Sequence, residues 1–156
     1  MKAATINELK QELVNSSAST LVELCLRLSR FKKENKELLT YLLFEAHNTE
    51  PYIKSVKQEI AHQFESINKS NLYFVKKSLR KIIRTINKYN RYCGLTTVEI
   101  ETGIYFCTLM NEMKLPLANN PALLNLYHNQ LKKINKSICS LHEDLQYEYL
   151  KAIKNL

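Results

Sequence analysis

Two glycines and three prolines in 156 residues leave this chain few ways to reverse direction sharply. Hairpin turns draw on residues that accept a positive φ or arrive with φ already set. A chain with five of them is predicted to be helical, its helices joined by short polar links. With 45% hydrophobic and 24% charged residues, the composition suits a globular core. The length suits one domain, residues 1–156.

Capping signals place the helices. Thr5 with Glu8 opens a first, carrying Ile6, Leu9 and Leu13; Thr20 with Glu23 opens a second, with Leu21, Leu24, Cys25, Leu28 and Phe31 on one face. The polar ENK at 34–36 marks a break, and Leu38 to Ala46 reads as a mostly buried third helix. Thr49, with Pro51 in the first turn, opens a fourth with Ile53, Val56, Ile60, Phe64 and Ile67 at helical spacing. A fifth runs from about Ser70 to Cys93, where Gly94 suits a left-handed C-terminal cap. Thr96 with Glu99 opens a sixth; Asn120 then caps a seventh that has Pro121 in its first turn and no later breaker.

The predicted fold is therefore all-α: six or seven helices in antiparallel hairpins, closing as a helical bundle or stacking as a short HEAT-like superhelix, with a long C-terminal helix. One segment competes. VEIETGIYFCT, Val98 to Thr108, also fits a β-hairpin turning at Thr102-Gly103. A lone hairpin in a helical chain has nothing to pair with, so helix is preferred.

The greasiest run, LLTYLLFEA, is far short of the ~20 apolar residues of a membrane span, and MKAATINELKQELV lacks an apolar signal region. A cytoplasmic protein with no membrane partner is expected. Cys25, Cys93, Cys107 and Cys139 show no zinc-site spacing. All four read as reduced thiols in or near the core.

The formal charge is +8, and seven cations fall within seventeen positions between Val75 and Arg91. At 100° per residue, Lys77, Arg80, Lys81, Arg84, Lys88 and Arg91 share roughly a third of the helix circumference. Val75, Leu79, Ile82, Ile83 and Ile86 lie opposite. No acidic residue lies between Ser70 and Val98, and Tyr73 and Tyr92 stand near the two ends. Such a surface binds an acidic partner or the DNA or RNA backbone, with tyrosines placed to stack; it also describes any amphipathic helix with a wet side.

In the last predicted helix, Leu124, Tyr127, Leu131, Ile134, Ile138, Leu141 and Leu145 alternate spacings of 3 and 4. This is an oligomer seam, or the spine on which the other helices pack. The outer face of that helix is two-toned: Lys132, Lys133 and Lys136 precede Glu143, Asp144 and Glu148.

Catalytic patterns are thin. Glu59 and His62 form half of a di-iron ExxH arrangement with no second copy, and they lie opposite the apolar face. The other histidines form no triad or ligand set, and two glycines make no phosphate loop. The sequence implies no catalytic residue, metal or cofactor. It points to a protein-interaction or scaffold module with an unidentified protein partner or self-association. The alternative is nucleic-acid binding without sequence preference through residues 70–93.

Overall fold

The computed structural model describes residues 2–115, 120–154 and 156. They hold eight α-helices, one π turn and no strand, so the fold is all-α. None of these helices is long and apolar enough to cross a membrane. Contacts divide the chain into two compact units, Met1–Phe44 and Glu45–Leu156.

The first unit contains α1 (Ile6–Val14), α2 (Ala18–Phe31) and α3 (Lys33–Thr40), followed by the start of the π turn Tyr41–Glu45. The Thr5/Glu8 capping box forms: the Glu8 amide donates to Thr5 Oγ1 at 3.3 Å, and the Thr5 amide donates to the Glu8 carboxylate at 2.6 Å. Those bonds hold the Glu8 carboxyl below its usual pKa. α2 begins before the predicted cap, because Ser17 accepts from the Thr20 amide. The break after α2 falls at Lys32, in extended conformation, and ENK lies inside α3. Asn35 explains this, since its side-chain amide donates 2.9 Å back to the Leu28 carbonyl and satisfies the end of α2. Of the segment read as a buried third helix, residues 38–40 end α3 and Tyr41–Glu45 form the π turn, and only Tyr41 is buried. No residue of α1, α2 or α3 is buried.

The second unit contains α4 (Thr49–Glu65), α5 (Leu72–Cys93), α6 (Thr96–Glu112), α7 (Pro121–Ile138) and α8 (Glu143–Ile153). α6 packs against the other four. It is the segment that competed as a hairpin, and the reason for the ambiguity is now visible. Val98, Ile100, Thr102, Gly103, Phe106, Cys107 and Met110 are all buried. A helix covered on every side loses its 3.6-residue signal. Buried Thr102 is satisfied locally, its hydroxyl 2.8 Å from the Val98 carbonyl and 3.1 Å from Asn90 Oδ1. A Cβ on Gly103 would lie 2.8 Å from Ile134 Cγ1, so α6 and α7 meet closely there. Phe64 of α4 meets Phe106 edge to face at 5.4 Å, and the Tyr52 hydroxyl donates 2.8 Å to the Tyr89 carbonyl. Gly94 ends α5 at φ 68°, the left-handed cap.

Two corrections concern helix ends. α6 has Leu95 at its N-cap, with no side-chain cap; Glu99 is drawn instead into an ion pair with Lys133, described below. The single long C-terminal helix is two helices, which raises the count from seven to eight. α7 closes with the Cys139 amide on Asn135 O, the Leu141 amide bonds Ile138 O, and Gln146 Nε2 donates 2.8 Å to Leu141 O. The two-toned face was the signal. Lys136 sits in the last turn of α7, and Glu143 and Asp144 in the first turn of α8, each matching its helix dipole.

The cysteines also divide. All are free, but only Cys107 is buried and Cys93 is intermediate; Cys25 and Cys139 are exposed, against expectation, because α2 buries none of its residues and Cys139 lies at the C-cap of α7. Burial pushes the Cys107 thiol up to about 12. At pH 8 it is therefore held as the thiol, whereas the thiolate is the nucleophile. Ellman's reagent added to the native reduced protein at pH 8 should titrate Cys25 and Cys139 quickly and Cys93 more slowly. Cys107 should react only on unfolding; four equally fast thiols would contradict this core.

Candidate functional site

The basic stripe is held in place by its helix. Asn71 accepts from the Tyr73 amide to start α5, and Val75, Leu79, Ile82 and Ile86 are buried. The opposite side is thereby fixed toward water: Lys77, Arg80, Lys81, Arg84 and Arg91 are exposed. Among the described residues none of these five has a carboxylate within ion-pair distance. Lys88 differs. It is half-buried, with its ammonium 4.9 Å from the centre of the Tyr89 ring.

The two tyrosines are not equivalent. Tyr73 is 60% exposed and meets Phe74 edge to face at 5.6 Å. Tyr92 is half-buried against Tyr89, ring centres 6.2 Å apart. Only the Tyr73 end offers an open aromatic face.

The α7 lysines reach this surface at one point. Lys133 Nζ lies 2.7 Å from Glu99 Oε1 and donates 2.9 Å to Asn87 Oδ1 of α5. Ser137 Oγ donates 3.1 Å to the other Glu99 oxygen. Asn87 is one turn from both Arg84 and Arg91 on α5. Beside it an open pocket of about 410 Å³ is lined by Asn87, Asn90, Arg91, Gly94, Leu95, Thr96, Glu99 and Lys133. Glu99 neutralises Lys133 within that pocket, so the free positive charge is that of Arg91. Lys132 and Lys136 are exposed. The acidic patch on α8 does not cover the stripe: Glu143, Asp144 and Glu148 are exposed, and Asp144 pairs with His142 at 3.4 Å.

The seam residues differ in burial along the two C-terminal helices. Tyr127, Ile134 and Ile138 are buried in the second unit, and Leu124, Leu131 and Leu141 are intermediate. Leu145, on α8, is 38% exposed. Tyr127 also carries a polar tie, since Asn111 Nδ2 donates to its hydroxyl at 2.9 Å and to the Leu156 carbonyl at 2.8 Å. A second polar cluster links α4, α6 and α8. Lys57 Nζ is 2.8 Å from Glu101, and partial burial with the neighbouring Glu101 and Glu148 charges raises the Tyr149 hydroxyl above its usual pKa.

Glu59 accepts from Gln63 at 2.6 Å, and His62 is exposed. Among the described residues no three His, Cys, Asp or Glu side chains are grouped to hold a metal.

The first unit holds what sequence reasoning missed. Ile6, Leu9, Leu13 and Val14 of α1, and Val22, Leu24, Leu26, Leu28 and Phe31 of α2, are all exposed. Their helical spacing reads as core-facing, and spacing alone does not say whether anything covers the face. An open apolar groove of about 740 Å³ lies among Ile6, Leu9, Leu13, Val14 and Leu21. Compared with known proteins, the chain matches no family model, no curated protein and no solved structure.

Proposed function

We propose that this chain is a protein-interaction or scaffold module, with its helices in antiparallel hairpins and its working surface on the Met1–Phe44 unit. One observation carries this function. Three helices bury none of their own residues, although α2 is apolar over more than half of its circumference. Large exposed apolar patches on soluble proteins mark interaction sites. A unit this small lacks the core to hold itself, so a protein seated on the face stabilises both the face and the fold beneath it. The free thiols favour a reducing compartment, the cytoplasm.

The test is a photo-activated crosslinking residue at Leu28, introduced in the full chain in cells. Adducts to protein are expected. Adducts to lipid alone, or none, would remove the proposal.

A second function rests on a separate observation: five exposed cations on α5 without a carboxylate partner among the described residues. It is binding to a nucleic-acid backbone, and its test is argued in the Discussion.

A further inference from the structure

The first turn of α5 holds two aromatic rings that the core does not use. Tyr73 is 60% exposed and Phe74 44%, while Val75, Leu79, Ile82 and Ile86 are the residues that pack inward. The rings meet edge to face at 5.6 Å, a contact that occupies one face of one ring and leaves the others open. Tyr73 shares a row with Lys77, Arg80 and Arg84, the four falling within a sector of roughly 60° at 100° per residue. Phe74 borders that row on the side of Lys81.

We infer that this row takes single-stranded nucleic acid, its backbone on the cations and its bases stacked on the Tyr73–Phe74 pair. This rests on the second function proposed above and names its substrate class.

Charge sets the kind of partner. Lys77, Arg80, Lys81 and Arg84 are exposed, and no described carboxylate pairs with them. They crowd into two turns, about 10 Å of helix at 1.5 Å per residue, where like charges repel and a polyanion relieves them.

The rings then separate one polyanion from another. A run of acidic side chains or bare phosphates has nothing flat to stack. A duplex keeps its bases in its own stack, so it meets the row with phosphates alone. In a single strand every base has a π-face to offer, whatever the sequence.

Position along the helix agrees. The rings stand one turn before Lys77 and two before Arg80, so a base on Tyr73 keeps its own backbone within reach of those side chains. At the far end Tyr92 is half-buried, and the strand is anchored by stacking at one end only.

The experiment uses the full reduced chain, which contains no tryptophan. In Tyr73→Trp the new indole is the sole fluorophore of its kind. An oligothymidylate of about 15 nucleotides should quench it, and an abasic deoxyribose-phosphate oligomer of the same charge should not. Anisotropy gives a second reading. Tyr73→Leu/Phe74→Leu should weaken oligothymidylate binding about tenfold, with the salt slope unchanged because no cation is lost. Its affinity for duplex should equal that of wild type. Tyr73→Phe, which keeps the ring, should bind as wild type does. The start of α5 is capped through the Tyr73 amide and not its ring, so these variants begin the helix normally.

An indole left unquenched, a double variant that holds single strands as wild type does, or one that loses duplex affinity equally would overturn this inference alone. Polyglutamate that displaces oligothymidylate as well as unlabelled oligothymidylate does would also overturn it, and would give the row to an acidic protein. Wild type that binds no oligonucleotide at low salt would remove the second function as well.

Discussion

Ile134→Asp is expected to abolish cooperative folding of the Glu45–Leu156 unit. Ile134 is 2% exposed, and its side chain fills the space where a Cβ on Gly103 would stand. Truncating a buried isoleucine alone costs about 2–5 kcal/mol. An aspartate adds the burial of a carboxyl group, which must ionise without a partner or take up a proton and shift its pKa. The neighbouring ammonium, Lys133, already bonds Glu99 and Asn87. The sum is on the order of 5 kcal/mol or more, against about 5–15 kcal/mol for a whole domain. Thermal unfolding followed by circular dichroism should show a broad, non-cooperative loss of helicity. Lys132→Asp, two residues earlier and exposed, should stay within about 0.5 kcal/mol of wild type. A cooperative melt for Ile134→Asp would mean that α7 is not part of the core.

Legibility followed burial. Where one face of a helix is covered and the other wet, the sequence already tells the two apart: α5 shows Val75, Leu79, Ile82 and Ile86 inside with the cations outside, and Asn120, Pro121 and Gly94 cap where their chemistry directs. The reading failed at both extremes. α6 is covered all round and lost its period. α2 is covered hardly at all, yet its spacing matches that of a core helix, because the chain's own sequence does not record what sits on a face. The split between α7 and α8 needed no breaker residue, so a search for glycine and proline missed it; the change of charge sign from Lys136 to Glu143 marked it instead. The Thr96/Glu99 cap failed because a lysine from another helix offered the carboxylate a stronger partner than a backbone amide. No local pattern reveals that competition.

Lys77→Glu, Arg80→Glu and Arg84→Glu together are expected to remove nucleic-acid binding while leaving the fold unchanged. The three side chains are exposed and face away from the buried Leu79, Ile82 and Ile86, and no described carboxylate loses a partner when they change. Wild type should bind labelled single- and double-stranded oligonucleotides with a dissociation constant on the order of 10 µM near physiological salt. Affinity should be largely indifferent to sequence, since phosphate contacts position a protein without reading bases. Each cation seated on a phosphate releases a condensed counterion, so three lost contacts should flatten the slope of log affinity against log salt by about 2.7 on duplex. Near 0.1 M salt the same three contacts correspond to a loss of a few hundred-fold. Lys132→Glu with Lys136→Glu offers the comparison. Only Lys133 of that lysine group is tied to α5, through Asn87, so the pair should matter less than the stripe. Anisotropy across a salt series separates the outcomes. If wild type fails to bind at low salt, or binds no better than the triple variant, α5 is not a nucleic-acid surface. Its cations then serve as the wet side of a helix whose other side belongs to the core.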